Sequence, residues 1–263
     1  MNRSNYPALM EIMNNPTVLI LTPFKDASKN LERYFGLLNN LTYPKKLISL
    51  GFLESDSQDT TYNDVKERLT HLREIFNDVN LWKKDFGFQI PHGQPRYWTP
   101  IQQTRRSILA RSRNQLLFRA LKEEEWVMWL DSDLLDYPAD IIETLLSFEK
   151  DILHPHCVYE YGGPTFDLNA WRDHGRRHMH DLRGEGNLVR LDSVGGTMLW
   201  VKADVHRDGL IFPSFPYGLG NPLIRRDNHW LGELETEGFG ILANDMGLTC
   251  WGLPNLEIRH LRE

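Results

Sequence analysis

Residues 124–138 have the sequence EEWVMWLDSDLLDYP, an apolar run that ends abruptly in carboxylates. A short continuous apolar run such as Val127 to Leu130 is typical of a strand that is buried on both faces of a parallel sheet. Asp131 and Asp133 follow it directly. Ligands of such sheets bind outside the carboxyl ends of the strands. The stretch therefore predicts a central strand that delivers two carboxylates to a binding site.

Strand and helix patterns alternate on both sides of this run. Strands are predicted at 17–24, 47–55 and 81–86, and helices at 27–41, 60–76, 102–122 and 138–148, with Pro138 in the first turn of the last helix. Such alternation predicts right-handed βαβ units, an α/β fold with a mostly parallel sheet and helices on both faces. The second half is less regular, with two strands within 188–205, a helix at 235–247 and a last strand at 256–260. No linker separates the halves, so we expect a single domain over 1–263, with 1–16 as an N-terminal extension.

Composition excludes several classes of protein. A chain of 263 residues can bury roughly 70 to 75% of its unfolded surface without staples. The net charge of −6 argues against nucleic acid as a partner. The two cysteines, Cys157 and Cys250, exclude a disulfide framework and disfavour a cysteine zinc site. No apolar run approaches the roughly 20 residues that span a bilayer, so no membrane span is expected.

The acidic turn at 131–136 has two interpretations. Two carboxylates about 5 Å apart repel by roughly 3 kcal/mol at an effective dielectric constant near 20, and a divalent cation offsets that cost. Capping of the next helix explains Asp136 and Asp140 but leaves Asp131 and Asp133 without a partner. An Asp-x-Asp triplet after a buried strand suits Mn²⁺ or Mg²⁺ bound against a nucleotide diphosphate. We favour the metal site over capping.

The helix predicted at 102–122 contains an inward-facing arginine. Arg113 lies four residues after Leu109 and three before Leu116, on the apolar stripe. A guanidinium on the covered side of a helix requires an anion, and its planar fork suits phosphate or carboxylate. A phosphate contact and a salt bridge to an aspartate such as Asp131 are equally good interpretations, and the two can coexist. Arg105, Arg106 and Arg119 are assigned to a solvated basic face.

Several motifs together resemble one known family. They run in order from about residue 17 to residue 261 and are ILTPF, YPKKLISLGFL, LARSRN, VMWLDSD, DSVGGTMLWVKADVHRDGLIFPSFP, ETEGFG and GLPNLEIRH. The chain is in this respect similar to the fungal mannan-polymerase glycosyltransferases, which build α-1,6-linked mannose backbones from GDP-mannose. The resemblance implies a glycosyltransferase-A fold.

The resemblance also assigns roles to individual residues. It implies that Mn²⁺, or Mg²⁺, is held by Asp131, Asp133 and His260. It implies a nucleotide-sugar site that contains Thr22, Pro23, Asp56, Arg113, Asn114, Asp131, Ser132, Gly195 and Gly196. Glycines there would let the backbone approach the sugar, although an ordinary turn explains them equally well. The catalytic candidates are Asp192, Glu235 and Glu237, and the two glutamates also start a helix, where acids are stabilised in any case.

Function follows from the resemblance as an expectation. The expected enzyme is a metal-dependent retaining α-mannosyltransferase that moves mannose from GDP-mannose to a mannoside or glycan acceptor, with related transferase subunits as partners. We favour same-face attack, with the departing phosphate as base, over a carboxylate nucleophile. The alternatives are a non-catalytic or partner-dependent subunit of a polymerase complex, and a transferase for another nucleotide sugar. Family members lie in the Golgi lumen on an N-terminal anchor that this sequence does not show, and the long polar segment 218–234 leaves the acceptor open.

Overall fold

A computed structural model of the chain describes residues 15–95, 98–217 and 232–262. The strands are β1 Val18–Phe24, β2 Ile48–Glu54, β3 Asp78–Lys83, β4 Trp126–Leu130, β5 Leu134–Asp136, β6 Ile152–Val158, β7 Trp171–Arg172, β8 Arg177–His178, β9 Val189–Leu191, β10 Met198–Lys202 and β11 Cys250–His260. The α-helices are α1 Leu31–Asn40, α2 Thr61–Ile75, α3 Thr99–Ala120, α4 Ile141–Ser147, α5 Ala203–Arg207 and α6 Glu235–Asp245.

One nine-stranded sheet organises the described residues. Its order is β3-β2-β1-β4-β10-β6-β11-β5, and β9 pairs with β11. The first four strands are parallel, β10 runs antiparallel between β4 and β6, and β11 is parallel to β6. The predicted α/β class is confirmed, and the irregular second half of the sequence corresponds to the mixed part of the sheet.

The sheet separates two apolar clusters because side chains alternate between the faces of a strand. In β1, Val18 and Ile20 belong to the cluster under α1 and α2, whereas Leu19 and Leu21 belong to the cluster under α3 and α6. Helices therefore cover both faces, as predicted. The carboxyl ends of β1, β2 and β4 remain uncovered by this packing and open on one edge of the sheet.

Several predicted boundaries were wrong. β3 begins at Asp78, three residues earlier than predicted, and α3 begins at Thr99. Pro138 precedes α4 instead of lying in its first turn, since that helix begins at Ile141. β11 begins at Cys250, six residues before the predicted start. The short strand β5, the two-residue strands β7 and β8 and the fully buried strand β6 were not predicted.

Candidate active site

A cavity of about 580 Å³ lies at the carboxyl ends of β1, β2 and β4. Helix α3 and the first residue of α6 close one side of it, and the start of β10 and the end of β11 close the other. The predicted site residues that line this active-site cavity are Pro23, Asp56, Arg113, Asp131, Ser132, Asp133, Gly196, Glu235 and His260. The topology thus gathers segments that are up to 237 residues apart in sequence, from Pro23 to His260.

The three predicted metal ligands lie on one wall of the active-site cavity. Asp131 and Asp133 follow β4 directly, and His260 is the last residue of β11. His260 Nε2 lies 3.0 Å from Asp133 Oδ1, and the imidazole stacks on Phe166 with ring centroids 3.6 Å apart. Burial opposes the charged imidazolium, but the hydrogen bond to Asp133 and the charges of both aspartates outweigh it and raise the pKa of His260.

Asp131 lies where negative charges converge. Burial raises the pKa of its carboxyl to about 6, and the guanidinium of Arg113 opposes that rise. The neighbouring carboxylates of Asp133, Glu235 and Asp167 add to it. Each of these carboxylates disfavours a further negative charge on Asp131, so this wall of the cavity is suited to a cation.

Arg113 is the cation that the structure places there. The residue is only 3% exposed, as its helical phase predicted. Nε donates a hydrogen bond to Glu235 Oε1 at 2.8 Å, and Nη2 donates to Asp131 Oδ1 at 3.2 Å. The predicted salt bridge to Asp131 is therefore present. Nη1 is buried and has no hydrogen-bond partner among the described residues, so its two N–H groups are unsatisfied within the protein.

Asp167 belongs to this site and was not predicted. Its Oδ2 accepts hydrogen bonds from the backbone N–H of Gly196 at 2.9 Å, from that of Thr197 at 3.2 Å and from the Thr197 hydroxyl at 3.1 Å. A Cβ at Gly195 would lie 2.0 Å from this carboxylate, and one at Gly196 would lie 2.6 Å from Arg113 Nη2. Packing against these two side chains explains both glycines, and only Gly196 lines the cavity.

Two residues predicted for the nucleotide-sugar site, Thr22 and Asp56, form hydrogen bonds within the protein. Thr22 is fully buried, shares a 2.6 Å hydrogen bond with the Tyr34 hydroxyl and does not line the cavity. Asp56 does line it, but its carboxylate accepts hydrogen bonds from the backbone N–H groups of Phe86 and Gly87, the latter at 2.8 Å. Asp56 therefore fixes the loop that follows β3 at the rim of the cavity.

Asn114 faces away from the cavity. Its amide donates to the carbonyl oxygen of Phe212 at 2.7 Å and accepts from the N–H of Phe212 at 3.0 Å. The structure thus places Asn114 as a brace between α3 and the segment before α6, about 100° round the helix from Arg113.

The three catalytic candidates are separated. Glu235 lines the cavity and contacts Arg113, whereas Glu237 does not line it. Glu237 Oε1 accepts a 2.7 Å hydrogen bond from Trp171 Nε1, and Oε2 forms an ion pair with Arg106. The assignment of Arg106 to a solvated face was therefore wrong.

Asp192 lies in a different cavity from Glu235. Its Oδ2 accepts a 2.8 Å hydrogen bond from the backbone N–H of Asp173, and it lines a second cavity with that residue. Most of the polar segment predicted near the acceptor, 218–231, lies outside the described residues, as do residues 1–14 of the N-terminal extension.

Comparison with known proteins identifies the family. The profile of the Anp1 family matches residues 2–179 and 174–216, which is most of the chain. The chain belongs to the Anp1 family. Among its relatives, the "Mannan polymerase II complex anp1 subunit" of Schizosaccharomyces pombe is 33% identical over 94% of this chain and 64% of the relative. The "Mannan polymerase complex subunit MNN9" of Candida albicans is 30% identical over 94% of this chain and 75% of the relative.

Solved structures establish the fold of this Anp1-family chain. "Mannosyltransferase PcManGT from Pyrobaculum calidifontis in complex with GDP-Man and Mn2+" matches with a TM-score of 0.57 and 15% identity, over 94% of this chain and 57% of that protein. The "S. aureus TarS 1-349 in complex with UDP-GlcNAc" matches with a TM-score of 0.53 and 16% identity, over 94% and 59% of the two chains. The predicted glycosyltransferase-A fold is confirmed.

Two further findings concern metal and membrane. No group of three or more His, Cys, Asp or Glu side chains in 15–95, 98–217 and 232–262 is arranged to hold a metal ion. Asp131 is paired with Arg113, and Asp133 with His260. The donor set nevertheless fits a hard divalent cation by its chemistry, since the two carboxylates are 30% and 22% exposed beside an imidazole. Among the described helices of the Anp1-family chain, none is long and apolar enough to cross a membrane.

Proposed function

We propose that this chain is a retaining α-mannosyltransferase that depends on a divalent cation and takes mannose from GDP-mannose. The observation that carries the proposal is the convergence of Asp131, Asp133, His260 and Arg113 in one cavity at the carboxyl ends of parallel strands. Relatives named as mannan polymerase subunits and a fold shared with a mannosyltransferase bound to GDP-Man and Mn²⁺ support the choice of sugar and nucleotide.

The cavity offers complementary groups for a sugar diphosphate. A cation held by Asp131, Asp133 and His260 would neutralise the charge that develops on the departing diphosphate. Arg113, which lines the cavity, would donate a charge-assisted hydrogen bond to a phosphate oxygen. Arg113 is held for this role by Glu235, so the phosphate meets a guanidinium whose orientation is already fixed.

Retention of configuration is consistent with the pairing of the carboxylates. In the transfer, the bond from C1 of mannose to the phosphate oxygen breaks, and a bond from C1 to the acceptor oxygen forms on the same face. The acceptor proton goes to the phosphate oxygen that leaves. A carboxylate nucleophile would need a free oxygen at C1, whereas Asp167, Glu235 and Asp133 are each held by hydrogen bonds or ion pairs. Same-face attack is therefore the route that we favour.

The finer assignments belong to the same proposal. We propose a mannoside or glycan acceptor, α-1,6 linkage of the product and Mn²⁺ as the cation, with Mg²⁺ as the substitute. We also propose related transferase subunits as partners and the Golgi lumen as the compartment, and the naming of the relatives as mannan polymerase subunits supports the partners.

The decisive experiment compares two aspartates three residues apart. Asp133 lines the cavity, whereas Asp136 lies outside it and accepts a 2.8 Å hydrogen bond from Tyr161. We expect Asp133→Asn to lower Mn²⁺-dependent GDP release with a short α-mannoside by about 100-fold or more, and Asp136→Asn to remain within about twofold of wild type. Absence of turnover of any nucleotide sugar, together with unchanged Mn²⁺ binding in Asp133→Asn, would refute the proposal.

Donor identity is tested separately. A thermal-shift series with GDP, UDP, GDP-mannose and UDP sugars, with and without Mn²⁺, should give the largest rise in melting temperature with GDP-mannose and Mn²⁺. A larger rise with a UDP sugar would assign the transferase to another donor.

A second candidate function has its own support. The relatives are named as subunits of complexes, and the chain spans 64% of the Schizosaccharomyces pombe relative. Under this second proposal the chain assists a partner transferase and has no activity alone. Turnover by the isolated chain decides against it, whereas turnover that appears only after a related subunit is added supports it.

A further inference from the structure

A second cavity, of about 850 Å³, lies apart from the active-site cavity. Its walls come from the hairpin of β7 and β8, from β9 and from the carboxyl-terminal half of α6. The two cavities share no lining residue. We call this the α6 cavity. The transfer chemistry described above leaves it without a role.

The α6 cavity combines an apolar wall with a polar rim. Leu188, Leu191, Ile241 and Trp251 supply apolar surface. The acidic side chains of the rim are Asp173, Glu185, Asp192 and Asp245, and the arginines are Arg172 and Arg190. Four carboxylates against two guanidinium groups give a net charge of −2, with His174 counted as neutral.

This lining selects a class of ligand. Without a bound cation, such as the one proposed for the active-site cavity, the negative balance disfavours a nucleotide or another polyanion. A hydroxyl both donates and accepts hydrogen bonds, so a ligand rich in hydroxyls pairs with carboxylates and guanidinium groups together. The apolar wall suits the C–H faces of a sugar ring, as expected of a pocket that is mainly apolar with a few convergent polar groups. A neutral saccharide satisfies all three requirements.

Asp192 is held at the rim by one of its two carboxylate oxygens. Its Oδ2 accepts the backbone N–H of Asp173, and Oδ1 makes no hydrogen bond within the described part of the chain. Asp173 and His174 both have left-handed backbone, with φ of 57° each, at the turn of the hairpin. Non-glycine residues adopt this conformation at a cost, and such residues cluster at binding sites. Asp26, Asp56 and Glu235, with φ of 48°, 56° and 55°, share it and line the active-site cavity.

Helix α6 contributes lining residues to both cavities. Glu235 at its start lines the active-site cavity, and Asp245 at its end lines the α6 cavity. A helix rises 1.5 Å per residue, so the ten steps between them cover about 15 Å. Trp171 of the α6 cavity also donates to Glu237, which pairs with Arg106 of the active-site cavity. A short oligosaccharide is long enough to reach from one cavity toward the other.

We propose that the α6 cavity is a second saccharide site, which binds a neutral stretch of the acceptor glycan away from its reacting end. The proposal rests on the proposed function, because it takes the ligand to be the acceptor of the same transferase. Binding there holds the growing chain near the active site and raises the apparent affinity for long acceptors over short ones.

The test measures binding without donor, so that it does not depend on turnover. The probe is an α-1,6-linked mannotetraose, titrated by calorimetry against the wild-type chain. Arg190→Ala changes an exposed side chain whose one hydrogen bond to the described residues is to Thr249 at 3.2 Å, and Asp192→Ala removes the carboxylate. We expect each variant to weaken tetraose binding by about three- to tenfold.

Matched controls lie outside both cavities. Arg119→Ala and Asp151→Ala remove exposed charges of the same types and should leave the tetraose affinity unchanged. Asp133→Asn, in the active-site cavity, should also retain tetraose binding. The KM for the tetraose should rise in Arg190→Ala, whereas that for methyl α-mannoside should not. Near-ultraviolet circular dichroism checks the fold of each variant.

The outcomes separate this proposal from the proposed function. Unchanged tetraose affinity in both Arg190→Ala and Asp192→Ala, or loss of it only in Asp133→Asn, overturns the second site while donor turnover still stands. A wild-type chain that binds no tetraose overturns it as well. A thermal shift with GDP-mannose and Mn²⁺ on the same preparations reports the donor site independently.

Discussion

Arg113 contacts carboxylates from two different elements, Asp131 after β4 and Glu235 at the start of α6. The contacts use different nitrogens of one planar group, Nη2 and Nε. A lysine ammonium is a compact charge on a flexible stem and reproduces this geometry poorly. Lysine keeps the positive charge but cannot hold both carboxylates at once, so one buried carboxylate loses its hydrogen-bonded partner, and this accounts for most of the expected effect.

We therefore expect Arg113→Lys to lower the free energy of unfolding by about 2 to 4 kcal/mol and to lower GDP release in the same variant. Arg111→Lys is the matched control, since Arg111 is exposed on the same helix with its guanidinium 4.9 Å from the Phe86 ring centre. Its stability should change by no more than about 0.5 kcal/mol. Urea unfolding at pH 7.5 measures both. Equal midpoints in the two variants would contradict the role given to Arg113.

The residues around Arg113 indicated its inward position, whereas the residues around Asp167 gave no comparable pattern. Helical phase alone places Arg113 inward, because apolar residues lie four before and three after it. Asn114 was assigned to the site by the resemblance alone, and helical phase separates it from Arg113, because adjacent residues of a helix face different ways. Asp167 follows β6, and without that strand no pattern indicated that a loop at 166–169 returns to the cavity. His260 was found only through the resemblance.

At the scale of elements, α6 packs against the loop before β10 through Gly240. A Cβ at Gly240 would lie 2.6 Å from Ser193 Cα and 2.9 Å from the backbone nitrogen of Val194. Both contacts are with backbone, so the helix or the loop must move to admit a methyl group. The loop carries Gly196 and Thr197 to the active-site cavity, so its position matters for the site as well as for packing.

We expect Gly240→Ala to destabilise the chain by about 2 to 3 kcal/mol through overpacking. Gly36→Ala in α1 is the opposite case, because nothing lies within 4 Å of its added Cβ. Alanine is the better helix former, so Gly36→Ala should stabilise the chain by about 0.5 to 1 kcal/mol. Thermal unfolding of the two variants measures both signs. A gain of stability in Gly240→Ala would show that α6 does not rest on this loop.

The strands show which elements a sequence pattern can predict. β1, β2 and β4 are buried and apolar, and their predicted bounds are nearly those observed. β3 is an edge strand of intermediate burial that begins with Asp78. Its first residues include polar side chains, so no apolar pattern indicated where the strand starts. β6 is fully buried, but its sequence ILHPHCV contains Pro155 between two histidines, a composition that is unusual for a central strand. Buried polar groups with internal partners therefore limited the prediction.

Buried, neutral histidines, among them the two of β6, affect the stability of the whole molecule. The His206 ring has a partner at each nitrogen: Nδ1 donates to the carbonyl oxygen of Leu210 at 2.7 Å, and Nε2 accepts from Trp129 Nε1 at 3.2 Å. Burial lowers the pKa of His206 to about 4. Burial likewise lowers the pKa of His156 to about 4 and that of His154 below its ordinary value. These rings take up protons once unfolding exposes them to water, so acid favours the unfolded state.

The direction of the pH effect follows from these values. The folded state holds His206 with a pKa of about 4, below the ordinary 6.5 of an unfolded chain. Between these two values the unfolded state binds the proton and the folded state does not, so stability is lost as pH falls from 6.5 to about 4. The full shift of His206 corresponds to about 3 kcal/mol, and none of that loss is present above pH 7.

We expect His206→Gln to be less stable than wild type at pH 7.5 by about 1 to 2 kcal/mol, because one of the two hydrogen bonds is lost. The variant should then lose less stability than wild type between pH 6.5 and 4.5, since it has one proton fewer to take up on unfolding. Urea unfolding at half-unit pH steps measures both curves, with His71→Gln as the control for removal of an exposed imidazole of α2. Parallel curves for wild type and His206→Gln across this range would mean that His206 is already charged in the fold, which its acceptor contact with Trp129 does not allow.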